Sequence, residues 1–176
     1  MSFVNNFKGV LLKPSDFFNN VSFNDDFFDP VIFALICNLI PGIILVREQI
    51  TLNSLPFFLA GFLFIFIFRL FIDSAVLHGL FKLVGGKAFY QQTFEILSYS
   101  YIANLFIIIP ILALQLNLLP VDFSLIFTLY GLYLIIIGGQ FVHNLNIGKS
   151  AFAAFIWELW YLVSSFIIVT YIGIPI

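Results

Sequence analysis

The sequence predicts an all-α protein, a polytopic transmembrane bundle of five spans preceded by an interfacial amphipathic segment. Of its 176 residues, 62% are hydrophobic and only 9% are charged, whereas a soluble domain carries about 25% charged residues. Twenty-five phenylalanines supply large apolar side chains that suit lipid-facing and helix-packing surfaces. Successive apolar runs reach the length needed to cross a bilayer. We therefore expect an integral membrane protein.

Residues 1–29 are too polar to span a bilayer, yet they carry apolar side chains at helical spacing. The residues that would share one helical face are Phe3, Phe7, Val10 and Leu11. Pro14 fits the first position of a second helix. The pattern predicts one or two short helices lying in the membrane interface. A frayed tail with scattered aromatic residues is the alternative.

Residues 30–176 form the predicted transmembrane domain. Its spans are expected at about 30–46, 54–81, 89–116, 122–141 and 151–171. The first span begins where Asp29 can cap the helix and Pro30 can take its first position. Pro41 and Pro110 are expected to kink the first and third spans. Because the connections are short, successive helices should be antiparallel neighbours.

The distribution of basic residues predicts the orientation in the membrane. The segments on the side of the N-terminus hold five lysines, Lys8, Lys13, Lys82, Lys87 and Lys149. The opposite segments hold only Arg47, next to Glu48. Because basic residues favour the cytoplasmic side, we expect a cytoplasmic N-terminus and an outer C-terminus, in the cell membrane if the chain is prokaryotic. The five lysines are expected to contact anionic membrane lipids.

Several polar residues lie inside the predicted spans, where such residues are costly and indicate a functional site by default. At a rise of about 1.5 Å per residue, they lie roughly 10–17 Å from the cytoplasmic helix ends. We call this set the polar layer: Asn38, Arg69, Asp73, Glu95, Ser98, Tyr99 and Glu158. Arg69 and Asp73 are four residues apart on one helix and are expected to pair. Glu95 and Glu158 are candidate second partners of the arginine.

One arginine cannot neutralise three acids, so at least one acid must reach water, find polar donors or stay protonated. Three interpretations of the polar layer remain open. It could fix the packing of the helices. It could line a wet pocket or a proton path that opens to the cytoplasm. Its members could also extend to the interface without meeting.

Two turns are predicted at the cytoplasmic side. The first carries His78, Lys82, Gly85, Gly86 and Lys87, and the second carries His143 and Lys149. The sequence Gly-Lys-Ser at 148–150 resembles the end of a phosphate-binding loop, but that pattern requires glycine where this chain has His143. The two histidines lack the close spacing of metal ligands. The turns are therefore expected to make contacts with a partner, without a metal or a cofactor.

No serine, histidine and acid arrangement for nucleophilic catalysis is evident, and no pair of acids has a characteristic spacing. We therefore expect no enzymatic activity. A formal net charge of −2 leaves no general basic surface, which argues against a nucleic-acid partner.

The order of these stretches resembles the Yip family of five-span membrane proteins, named for interacting with Ypt/Rab GTPases. The similar stretches are KPSDFF at 13–18, HGLFKLVGGKAF at 78–89, QTFEILSYSY at 92–101 and GGQFVHNLNIGKSA at 138–151. The Gly-Gly-Lys turn with its flanks is the most specific of them. The resemblance covers nearly the whole chain.

The resemblance implies a cytoplasmic N-terminus and a non-enzymatic role, which in eukaryotic relatives is vesicle trafficking with small GTPases and homologous partners. This sequence lacks the long cytoplasmic N-terminal region and the Asp-Leu-Tyr-Gly-Pro-like segment of those relatives, so Rab binding is not carried over to this chain. The resemblance favours a scaffold or assembly factor that acts through its cytoplasmic face and helix surfaces, with membrane-protein partners or self-association. A small transporter or channel that uses the polar layer is the alternative.

Overall fold

The computed structural model describes residues 3–20, 27–46, 51, 53–116 and 123–172. Within these ranges all regular structure is helical, which confirms the all-α prediction. The helices are α1 (Phe3–Leu12), α2 (Pro14–Asn20), α3 (Phe28–Val46), α4 (Leu55–Leu83), α5 (Tyr90–Ser100), α6 (Ile102–Gln115), α7 (Ser124–Val142) and α8 (Ile147–Ile172).

Four stretches of the described chain are long and apolar enough to cross a membrane. They are Leu55–Leu83, Tyr90–Leu114, Ser124–Val142 and Ile147–Ile167. Helix α3 adds a shorter apolar helix. The predicted five-span bundle is therefore consistent with the helices that form.

Local interactions set the ends of two spans. Helix α8 begins before the predicted residue 151 because the backbone N–H of Lys149 donates to Asn146 Oδ1 (2.9 Å), a side-chain cap. Helix α4 ends at a turn in which the backbone N–H of Gly86 donates to the carbonyl oxygen of Phe81 (2.7 Å). Gly85 has φ of 99°, a left-handed conformation that costs glycine little.

The third span consists of two helices, α5 and α6, that meet at Tyr101. The Ser100 hydroxyl donates to the carbonyl oxygen of Leu97 (2.7 Å), a local bond that competes with helical bonding at this point. Pro41 and Pro110, where the sequence predicts kinks, lie inside α3 and α6.

Helix α5 occupies the centre of the bundle, where every residue from Thr93 to Ser100 is buried. It packs against α3, α4 and α7, while α8 packs against α4 and α7. Two glycines of α7 allow the close approach: a Cβ atom on Gly138 would lie 2.5 Å from Ile96 Cγ2, and one on Gly139 would meet the Phe81 ring at 2.7 Å.

The two N-terminal helices pack against the side of the bundle. Pro14 is the first residue of α2, as predicted. The Tyr130 hydroxyl donates to the carbonyl oxygens of Val10 (3.1 Å) and Leu11 (3.0 Å). Asn6 Nδ2 donates to the Tyr99 hydroxyl (3.4 Å). These contacts attach α1 to α5 and α7.

Some predicted features fall outside the described residues. These are the outer charges Arg47 and Glu48, the expected start of the fourth span at Asp122, residues 21–26 of the N-terminal segment and the tail at 173–176.

Candidate functional site

The structure distributes the polar layer over three places. In the first, α4 meets α8, and Arg69 Nε donates to Asp73 Oδ2 (3.1 Å), the pairing that the sequence predicted. Arg69 Nη2 reaches across to α8, where it donates to Ser165 Oγ (2.5 Å) and the carbonyl oxygen of Tyr161 (3.3 Å). The guanidinium carbon lies 4.2 Å from the centre of the Tyr161 ring, a cation–π contact. Arg69 thus links two spans.

Two tryptophans of α8 complete the surroundings of Asp73, which is 1% exposed. Trp160 Nε1 donates to Asp73 Oδ1 (3.2 Å), and Trp157 Nε1 donates to its carbonyl oxygen (3.0 Å). Both carboxylate oxygens of Asp73 therefore accept a hydrogen bond, one of them from a cation.

Sequence reasoning did not assign the α8 partners of Arg69 and Asp73 to the polar layer. They lie on one face of the helix at i, i+3, i+4, i+7 and i+8 and are Trp157, Trp160, Tyr161, Ser164 and Ser165. Aromatic and hydroxyl residues at this helical spacing were the signal that could have identified them.

Glu158 is half-buried on the same helix. Within the described part of the chain, Glu158 makes no ion pair with Arg69, and Arg69 Nη1 is buried without a hydrogen-bond partner.

The second place joins α3 to α6. Asn104 Nδ2 donates to Asn38 Oδ1 (2.7 Å), and Asn38 Nδ2 donates to the carbonyl oxygen of Ala34 (2.8 Å). Both polar ends of Asn38 are therefore satisfied. This arrangement matches a packing role between membrane helices.

The third place lies between α5 and the N-terminal helices. Glu95 is 3% exposed, bonds to Gln91 and lies close enough to the Tyr99 hydroxyl to interact with it electrostatically, as does Asp29. Ser98 is fully buried, and its hydroxyl has no partner among the described residues. A cavity of about 40 Å³, large enough for water, lies alongside and is lined by Phe3, Asn6, Asp29, Ile32 and Phe33.

The two predicted turns meet at one end of the bundle. The backbone N–H of Lys87 donates to the carbonyl oxygen of His143 (3.2 Å). Thr93 Oγ1 lies 2.8 Å from His143 Nε2 and 2.8 Å from His78 Nδ1, so one hydroxyl bridges the two histidines. We call the surface formed by residues 82–89 and 143–149 the turn surface.

His143 is the buried centre of this end. Its side chain has no exposed area, and its ring centre lies 4.5 Å from that of Phe81. Burial lowers the pKa of His143 to about 4, and the charges of His78 and Lys82 act in the same direction. The imidazole is therefore neutral at physiological pH. Its Nδ1 has no partner among the described residues.

A hydroxyl between two imidazoles, as at Thr93, could in principle act as a nucleophile that a base activates. Thr93 and His143 are both 0% exposed, however, so a substrate could not reach this hydroxyl. Ser150 is also buried and donates to the carbonyl oxygen of Ile136 (2.7 Å), which uses the hydroxyl that a phosphate-binding loop would offer to Mg²⁺. The described residues contain no cluster of three potential metal ligands.

The turn surface is both basic and apolar. Lys82, Lys87 and Lys149 are exposed, and none of them forms an ion pair within the described residues. Leu83 and Phe89 lie beside them and are 84% and 79% exposed. The Lys149 ammonium approaches Gly85 closely, at 3.8 Å from the position a Cβ atom would take.

Comparison with known proteins adds one finding. Neither the curated proteins nor the solved structures contain a significant match to the chain. The family model of the Yip1 domain matches residues 8–174, which is nearly the whole chain. With its apolar helices, the chain is an integral membrane protein that belongs to the Yip1 domain family.

Proposed function

We propose that this protein is a non-enzymatic scaffold or assembly factor that acts through the turn surface and its helix surfaces. The main observation in support of this proposal is that two turns distant in sequence are bonded to each other at one end of the bundle. The Lys87–His143 backbone bond and the Thr93 bridge between the histidines hold them together. A surface fixed in this way loses little conformational freedom when a partner binds.

The exposed composition of the turn surface supports contact with a partner. Exposed Leu83 and Phe89 lie beside three exposed lysines that form no ion pair within the described residues, so the surface combines apolar area with charge. Thr93 and His143, the groups near the turn surface that could serve in catalysis, are buried and hydrogen-bonded to each other. These features favour binding over catalysis.

The proposed orientation places the turn surface and the N-terminus in the cytoplasm and the C-terminus outside. Three lysines support this orientation, because Lys82, Lys87 and Lys149 all lie on the turn surface and basic residues favour the cytoplasmic side. Partners are proposed to be membrane proteins or further copies of this chain.

The experiment is affinity capture of the tagged protein from native membranes after mild crosslinking. The test variant is Lys82→Ala/Lys87→Ala. The matched control is Lys8→Ala/Lys13→Ala, which removes the same charge from α1 and its junction with α2. A reproducible partner that is lost only from the Lys82→Ala/Lys87→Ala variant supports the proposal. Equal capture by both variants contradicts it.

A second candidate function is a small transporter or channel. Within the described residues, Arg69 Nη1 is buried without a hydrogen-bond partner and Glu158 makes no ion pair with Arg69, so both groups could interact with a transported ion or water. The test is pH-driven flux in proteoliposomes. Flux that falls in Glu158→Gln supports transport, whereas vesicles with and without protein that leak equally exclude it for the ions tested.

A further inference from the structure

We propose that the third place of the polar layer, where α1, α3 and α5 meet, is a binding site for a divalent cation, Ca²⁺ or Mg²⁺. Its ligands are oxygen atoms of Asn6, Asp29, Glu95 and Tyr99. The bound cation ties α1 to the bundle. None of these residues belongs to the turn surface, so the inference goes beyond the proposed function and does not depend on it.

Three helices bring polar groups together around the end of the Tyr99 side chain. Asn6 Nδ2 of α1 donates to the Tyr99 hydroxyl (3.4 Å). The Phe33 ring of α3 packs edge-on against the Tyr99 ring, with 5.1 Å between the ring centres, and the Phe3 ring of α1 lies 5.1 Å from that of Phe33. Asp29 is four residues before Phe33 and lies on the same face of α3. The contacts therefore hold α1 and α3 against one point of α5.

Two carboxylates lie near this hydroxyl. Glu95 is four residues before Tyr99 on the same face of α5. It is 3% exposed and forms no ion pair within the described residues. Glu95 and Asp29 both lie close enough to the Tyr99 hydroxyl to interact with it electrostatically. A buried carboxylate that stays charged requires a paired charge or a metal ion.

The cavity beside these acids provides space and an unused acceptor. It has a volume of about 40 Å³ and is lined in part by Asn6 and Asp29. A space of this size accepts one small ion or one water molecule. Asn6 is 4% exposed, and its Oδ1 atom has no hydrogen-bond partner among the described residues. Asp29 is exposed, so a hydrated ion can enter the cavity past it.

The chemistry of the ligands identifies the class of ion. Carboxylate and amide oxygens suit Ca²⁺, Mg²⁺ and Mn²⁺, whereas imidazole and thiolate ligands suit transition metals. Two carboxylates match the charge of a divalent ion, and water completes the coordination, as is usual for Mg²⁺. A water molecule alone would bond to Asn6 Oδ1 but would not offset the charge of Asp29 and Glu95.

The first test is terbium luminescence of the purified full chain in detergent. Tb³⁺ occupies oxygen-ligand sites for Ca²⁺, and an aromatic ring close to the ion, here that of Tyr99, excites its emission. We expect Ca²⁺ or Mg²⁺ to displace Tb³⁺, and the more effective of the two identifies the ion. Glu95→Gln and Asp29→Asn should each weaken binding at least about tenfold, because even residues that only orient metal ligands change affinity about 10–100-fold.

The matched control is Asp16→Asn, which removes an exposed acid of α2 that does not line the cavity. It should bind Tb³⁺ as the wild type does. Because Asp29 is exposed, Asp29→Asn keeps the test available if the change at the buried Glu95 prevents folding. Equal binding by the control and by both test variants overturns the inference, as does Tb³⁺ that neither Ca²⁺ nor Mg²⁺ displaces.

The second test is the melting temperature after treatment with a chelator and addition of CaCl₂, MgCl₂ or KCl at equal ionic strength. A ligand that binds only the folded state stabilises it. We therefore expect a divalent ion to raise the melting temperature of the wild type and of Asp16→Asn, but not that of Glu95→Gln or Asp29→Asn. A wild type that responds to KCl as it does to the divalent salts contradicts the inference. Neither test involves capture of a partner, so the inference and the proposed function can fail separately.

Discussion

At the scale of single residues, Arg69 joins two spans through several polar contacts. It bonds to Asp73 on its own helix and to Tyr161 and Ser165 on α8. A paired charge inside a membrane protein contributes little net stability, but an unpaired one is strongly destabilising. The arginine and the aspartate therefore depend on each other.

We expect Arg69→Ala to destabilise the protein by about 3–5 kcal/mol, because it leaves the buried Asp73 without its cation. Thermal unfolding and monodispersity in detergent measure the effect. Arg69→Lys retains the charge and should lose less. In Arg69→Leu/Asp73→Leu no unpaired charge remains, so stability should partly recover. An Arg69→Ala variant with the melting temperature of the wild type would contradict the prediction that Asp73 depends on Arg69.

His143 supports a pH prediction. Its pKa is about 4 in the folded protein and 6.5 when unperturbed, so between these values the unfolded state binds more protons. The stability contributed by neutral His143 is complete above pH 6.5 and falls as the pH drops toward 4, by up to about 3 kcal/mol. The loss is measurable as a decrease in melting temperature between pH 7 and pH 5.

The control for this pH effect is His143→Gln, which retains a polar group near Thr93 but does not titrate. Its melting temperature should depend less on pH than that of the wild type. If both proteins show the same slope, groups other than His143 cause the pH dependence, with His78 the nearest candidate.

At the scale of helices, close packing of α7 rests on two glycines. A Cβ atom on Gly139 would meet Ser150 Oγ and the Phe81 ring, so a larger residue must separate α7 from α4 and α8. Interiors are packed densely enough that such overpacking costs about 1–3 kcal/mol. The neighbouring Gly138 faces Ile96 of α5 in the same way.

We expect Gly139→Ala to lower the melting temperature, while Gly61→Ala leaves it unchanged or raises it. Gly61 has no atom within 4 Å of an added Cβ atom, and alanine favours a helix by up to about 1 kcal/mol over glycine. The two variants add the same methyl group to two helices. Equal melting temperatures would mean that α7 packs less closely than the structure indicates.

At the scale of the whole molecule, the orientation that we propose for the bundle from its basic residues can be tested by chemical labelling. In a Cys37→Ala background, we expect cysteine at Lys149 to react only when a membrane-impermeant reagent reaches the cytoplasmic side. Cysteine at Thr51, at the opposite end of α4, should react from outside. Reaction of both positions from the same side would refute the five-span arrangement.

The composition of the whole chain also explains which predictions were straightforward. A chain with 62% hydrophobic residues cannot cover itself with polar groups, so helices in lipid are the available structure. The Arg69–Asp73 pair was predictable because both residues belong to one helix, whose geometry alone fixes their distance. The Pro14 start of α2 was predictable for a similarly local reason.

The sequence by itself therefore determined the helical class, the approximate bounds of the long helices, the local ion pair and the resemblance to the Yip family. Only the tertiary structure decided which helix faces meet. It separated Glu95 and Asn38 from Arg69, brought Trp157 and Trp160 to Asp73, and joined His78 to His143 through Thr93. The reason is physical: spans that are apolar on all sides carry little periodic signal to fix their rotation. The position of a residue along a helix can therefore be counted from the sequence, but the direction of its side chain cannot.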